Sequence, residues 1–173
     1  PGTYTISDVS QQLHSDPMST DELLHDAYVA AIGDMDGDGL DDLALGARGV
    51  SQPFEESGGV YIVFADSITN TPMLTEDIHI YGDQEGYQIG YVHPAGDVDN
   101  DGLSDVFIGR SNESESKGYI YNSNRIGIGS TGVLHADYSF DTTGERFSSI
   151  DDADGDGRSD LMFHDNDHLY FIS

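Results

Sequence analysis

The stretch "DMDGDGLDD", from Asp34 to Asp42, carries five aspartates, two glycines and no basic side chain. The pattern returns as "DVDNDGLSD" (Asp97–Asp105) and "DADGDGRSD" (Asp152–Asp160). Like charges at that density repel one another and keep a segment unfolded unless something compensates them. Written as D-x-D-x-D-G-x-x-D, each loop can turn the carboxylates of positions one, three and five inward. Position seven offers its carbonyl, and the aspartate at nine closes the shell. Ligands that are all oxygen suit a hard cation, and several flexible carboxylates suit calcium better than magnesium.

The expected ligands are Asp34, Asp36, Asp38, the Leu40 carbonyl and Asp42 in the first loop. The second uses Asp97, Asp99, Asp101, the Leu103 carbonyl and Asp105, and the third uses Asp152, Asp154, Asp156, the Arg158 carbonyl and Asp160. Glycine at position six (Gly39, Gly102, Gly157) fits a sharp turn with positive φ. One such loop could be a solvated acidic turn. Three in register require a common cause, and three calcium ions supply one.

An EF-hand also begins D-x-D-x-D-G, but it needs a bidentate glutamate at position twelve between two helices. Leu45, Ile108 and Phe163 occupy that position, and the flanks read as strands, so the EF-hand and dockerin readings both fail.

The elements that must position these loops repeat at intervals of about sixty residues, the scale of stacked or radial repeats. Before each loop stands a short β-like run: "YVAAIG", "YVHPAG" or "RFSSID". After it comes "DLALGA", "DVFIGR" or "DLMFHD", and then, past a polar connection, "GVYIVF", "GYIYNS" or "HLYFIS". The first two units add a fourth run, "DIHIYGD" or "HADYSFD". Runs of four to seven aromatic and aliphatic residues bounded by turn formers are strands, and four antiparallel strands make a propeller blade. The fold class expected is all-β, with three four-stranded antiparallel blades.

Blade 1 then spans about 27–83, blade 2 about 84–141 and blade 3 about 142–173, the last completed by the N-terminal run "TYTISD" (Thr3–Asp8). Three blades are fewer than the usual four to eight. Two copies forming one six-bladed ring would solve this, as would excision from a longer propeller with an open edge. "STDELLHD" (Ser19–Asp26) has a capping-box arrangement that predicts a short helix.

At this level the units resemble FG-GAP repeats, the calcium-binding blades of integrin α-subunit propellers and of many bacterial surface proteins. "IGYVHPAGDVDNDGLSDVFIGRS" (Ile89–Ser111) and "AIGDMDGDGLDDLALGA" (Ala31–Ala47) carry the resemblance. The third copy departs from it, with Asp151 at the usual glycine and "FHD" after the second strand. The resemblance implies that the loops join the first two strands of each blade, bind calcium for structure, and leave ligands to the opposite face.

Composition bounds the rest. With 33 acidic and 6 basic side chains the formal net charge is −27, which excludes nucleic acid and anionic membrane surfaces as natural partners. Three divalent cations would offset only a small part of that charge. The remainder fits salty or calcium-rich surroundings, where screening weakens self-repulsion. No cysteine is present, so disulfides and thiolate metal sites are ruled out. No apolar run approaches the ~20 residues of a membrane-spanning helix.

The leading function is therefore a non-enzymatic, calcium-stabilised module for adhesion or for binding a protein or glycan, outside the cell or on its surface. An enzyme is disfavoured because the aspartates belong to three equivalent loops, and no nucleophile–base pair breaks the repeat symmetry. His164 and His168 flank a hairpin turn. Two alternatives stay open: a carbohydrate-binding propeller, with Phe54 as the sugar-stacking candidate, and the non-catalytic propeller part of a secreted hydrolase. On the face away from the loops, Arg48, Arg110, Lys117 and Arg146 gather scarce positive charge and are candidate ligand contacts, Arg48 and Arg110 at equivalent places.

Overall fold

The structure is a computed structural model; it describes residues 27–51, 53–70, 77–111, 116–127, 129–132, 135–142, 146–164 and 168–172. The runs "TYTISD" and "STDELLHD" lie outside them. The expected strands form where the β-like runs stand. In the first sheet β1 (Ala27–Gly33), β2 (Asp42–Ala47), β3 (Gly59–Val63) and β4 (Ile78–Tyr81) follow one another antiparallel. One short helix, α1 (Ala65–Asn70), interrupts the connection between β3 and β4.

The second sheet contains β5 (Ile89–Gly96), β6 (Asp105–Ser111) and β7 (Ser116–Tyr121). Before its fourth strand the chain makes a further strand, β8 (Gly129–Gly132), which pairs parallel with β4 of the first sheet. The chain then returns as β9 (Tyr138–Thr142) to pair with β7. The third sheet is β10 (Arg146–Ile150), β11 (Asp160–His164) and β12 (Leu169–Ile172). These are the blades of an all-β propeller, and the excursion to β8 ties the second blade to the outer edge of the first.

Apolar side chains fill the spaces between blades. Ile32, Ala44, Val60, Ile62, Ile78 and Ile80 from the first sheet meet Ile89, Val92, Val106, Ile108, Tyr119 and Tyr121 from the second in one buried cluster. A smaller cluster joins Ala95, Phe107 and Ile120 to Leu161 of the third. Across that second boundary the rings of Phe107 and Phe147 stack at 3.7 Å, and Phe163 and Tyr170 extend the stack through the third blade. Central strands β2 and β3 are buried on both faces, which accounts for their nearly continuous apolar sequence. At the outer side of the third blade, Leu169, Tyr170, Phe171 and Ile172 of β12 are exposed.

Candidate metal centre

Each acidic loop joins the first two strands of its blade, between β1 and β2, β5 and β6, or β10 and β11. Backbone geometry explains the glycines. Position six is left-handed in all three loops, with φ of 88°, 90° and 92° at Gly39, Gly102 and Gly157. Position four is left-handed as well, in Gly37, Asn100 and Gly155. Asparagine is among the side chains that tolerate that region best, so the second loop keeps its shape without a glycine there.

The carboxylates first organise the loop itself. Asp34 accepts N–H donors from Gly37 at 2.6 Å and Gly39 at 2.9 Å. Asp97 does so from Asp101 and Gly102, and Asp152 from Gly155 and Gly157. Position five caps the N–H of position seven, as in Asp38 to Leu40, Asp101 to Leu103 and Asp156 to Arg158. The ninth-position aspartates, Asp42, Asp105 and Asp160, are buried and accept the N–H of position two, from Met35, Val98 and Ala153. Asp42 and Asp105 also accept an N–H from two residues past the third strand, Ala65 and Ser123 respectively.

Positions one, three and nine converge. Carboxylate oxygens of Asp34, Asp36 and Asp42 lie within 4.8 Å of one another, and so do those of Asp97, Asp99 and Asp105, and of Asp152, Asp154 and Asp160. Asp38, Asp101 and Asp156 are outside these groups. Among the carbonyl-bearing residues of position seven, Leu40 and Arg158 are exposed and Leu103 is half-buried. The third loop retains the geometry of the others although Asp151 replaces the glycine that precedes the first two.

Electrostatics leave these groups short of positive charge. Burial pushes the Asp105 carboxyl up to about 6, against the lowering effect of its Ser123 and Val98 donors. Asp42 and Asp36 are also raised, first by desolvation, with neighbouring carboxylates adding to it. Asp99 Oδ1 and Asp160 Oδ1 are buried without a hydrogen-bond partner. Clustered oxygens, orphaned acceptors and an oxygen-only donor set all fit a divalent cation of the calcium type.

Sequence reasoning missed the residues that border the loops from elsewhere. Asp66 acts electrostatically on Asp36, while Asn122 and Asn124 donate to Asp99 and Asp101 at 2.7 and 2.6 Å. Their signal is positional: all three follow a third strand directly, at the end where the loops lie.

The basic residues at the other end require a correction. Register pairs Tyr28 with Gly46 and Tyr91 with Gly109, so the counterpart of Arg110 is Ala47, and Arg48 lies one residue further on. A shift of one residue in a strand reverses the face a side chain takes. Arg110 is in fact buried, its guanidinium 3.9 Å from the Tyr87 ring centroid. Arg48 is part-buried, donates to Tyr91 Oη at 2.9 Å and to Gln88, and sits over the Tyr91 ring. Arg48 thus crosses from the first blade to the second, Arg110 packs within the second, and neither is held out as a free cation. Lys117 Nζ stands 6.0 Å from the Tyr119 ring, and Arg146 opens β10. Phe54, in the connection between β2 and β3, is exposed. His164 and His168 are exposed at the β11–β12 hairpin, as predicted.

Residues 27–63 match the family model described as FG-GAP repeat. The chain is 29% identical to "Integrin alpha-4" of Xenopus laevis over 138 residues, which is 74% of this chain and 13% of that protein. It is 26% identical to "Integrin alpha-3" of Cricetulus griseus over 149 residues, 82% of this chain and 14% of that one. "Phosphatidylinositol-glycan-specific phospholipase D" of Mus musculus is 28% identical over 149 residues, 78% of this chain and 18% of the relative. The chain thus spans less than a fifth of the length of these relatives.

Proposed function

From the premise that the chain carries an FG-GAP repeat and is built of integrin-like propeller blades, we propose that it is a calcium-stabilised, non-catalytic module for binding a protein or glycan outside the cell. The observation that carries this reading is the repetition of one three-carboxylate group at the same corner of all three blades. Asp34, Asp36 and Asp42, with their counterparts in the other loops, hold the ion. Asp38, Asp101 and Asp156 and the position-seven carbonyls complete the shell. The cation removes the repulsion between loop carboxylates and fixes the turn between the first two strands.

Integrin relatives support adhesion and an extracellular or cell-surface location. No described helix is long and apolar enough to cross a membrane. The net charge of −27 speaks against nucleic acid as a partner. The phospholipase relative favours a second reading, in which such a module is the non-catalytic part of a larger hydrolase. For a glycan ligand, exposed Phe54 remains the stacking candidate. Equilibrium dialysis against calcium tests the metal; about three ions per chain supports the proposal, and none overturns it. A glycan array run in calcium separates sugar from protein ligands.

A further inference from the structure

We propose that the connection after β7 gives the second acidic loop an additional calcium ligand, the amide oxygen of Asn122, with Asn124 as its positioning partner. The proposal rests on the calcium reading above and goes beyond the loop residues that reading uses.

Asn122 is only 1% exposed, and its Oδ1 is buried without a hydrogen-bond partner. Such an acceptor is costly to bury unsatisfied. Its Nδ2 lies 2.7 Å from Asp99 Oδ2, so the side chain is aimed into the acidic loop. The other oxygen of that carboxylate, Asp99 Oδ1, is equally buried and equally without a partner. A cation in the loop gives Asp99 Oδ1 the positive partner it lacks, and the amide beside it is placed to contribute an oxygen.

Amide oxygen and nitrogen have nearly the same shape, and which one faces the site follows the hydrogen bonds available. Nδ2 faces the Asp99 carboxylate as donor. A half-turn of the amide sets Oδ1 in that place, 2.7 Å from Asp99 Oδ2. Neighbouring oxygens in a shell of radius 2.3–2.6 Å are separated by about 3 Å, so the position suits a ligand. Asn124 Nδ2 meanwhile bridges Asp101 Oδ2 at 2.6 Å and Asp99 Oδ2 at 3.4 Å, which draws positions three and five together without adding charge.

The first blade provides the contrast. Register pairs Leu43 with Val63 and Val106 with Tyr121, so Phe64 is the counterpart of Asn122 and Asp66 that of Asn124. Phe64 has no donor atom to offer. Asp66 adds a carboxylate beside an already acidic loop. The first site is therefore the more negative, and the second gains a neutral oxygen. The sites are not equivalent.

Calorimetric calcium titration of the full chain tests this, with wild type, Asn122→Leu, Asn122→Asp, and Asn122→Leu in an Asp99→Ala background. Leucine keeps the branching of asparagine, though it is bulkier, and has no oxygen, whereas aspartate keeps one. The expected result is that Asn122→Leu weakens one binding event by about tenfold or more, that Asn122→Asp retains it, and that the leucine change has no further effect in the Asp99→Ala background. Circular dichroism in saturating calcium should be unchanged for all variants. Wild type that binds calcium while Asn122→Leu leaves every event unaltered, or weakens all equally, overturns the inference and leaves the calcium reading standing. Wild type that takes up no calcium overturns both.

Discussion

Ser104 donates its backbone N–H to the Asp34 carbonyl at 2.8 Å, from the acidic loop of one blade to that of the blade before it. Ser159 makes the same 2.8 Å bond to Asp97 across the next boundary. Position eight of each loop thus clasps position one of its predecessor. The residue just before position one must leave room for the serine. Gly33 and Gly96 do so, at φ of 80° and 74°, and a Cβ on either would run into the serine side chain. The loops that gather carboxylates also stack the blades, so an ion in the loop and the interface between blades are mechanically linked.

Gly33→Ala is expected to cost roughly 2–4 kcal/mol, combining a left-handed backbone with a steric clash at Ser104. Gly39→Ala, at φ of 88° but with nothing near its added carbon, should cost only about 1–2 kcal/mol. Urea denaturation of the two variants, both in calcium, checks the order. Equal losses would mean that the clasp contributes nothing.

Arg110→Ser should destabilise the protein by about 1–3 kcal/mol, because it removes a buried side chain stacked on Tyr87. The sequence alone placed this arginine among the candidate ligand contacts. Thermal melting of Arg110→Ser beside wild type decides; an unchanged melting temperature would return the residue to the candidate binding surface.

In the first and third loops the clasp residues differ. Asp41 stands where the later loops have serine, and Asp151 where the earlier ones have glycine. Head-to-tail closure of two copies into a six-bladed ring would set these carboxylates against each other. We expect light scattering in calcium to find no such dimer for the wild-type chain, and Asp41→Ser with Asp151→Gly to favour association. A discrete wild-type dimer would show that the ring closes by another contact.

The strands were legible in the sequence because each pairs an apolar run with a turn former, as in "DLALGA" and "GVYIVF". The loops were legible because carboxylates in that spacing have few other uses. β8 was not, since "GSTG" has none of the apolar or aromatic residues that mark a strand in sequence. α1 was equally hidden, being little more than one turn. The arginine error arose from matching Arg48 with Arg110 by residue type, although Arg48 stands two residues after its glycine and Arg110 one. Asn122 and Asn124 escaped notice because they follow β7 in sequence, and only the folded sheet brings them beside Asp99.

The central claim is that calcium in the three loops stabilises these blades, and the melting temperature measured across a calcium titration into chelator-treated protein tests it most directly. Each filled site should contribute roughly 2.7 kcal/mol at a hundredfold excess of calcium over its Kd. The melting temperature should therefore climb steeply with calcium and fall again on chelation, while Asp38→Ala should lose only part of the gain. Melting curves that coincide in saturating calcium and in excess chelator would contradict the account.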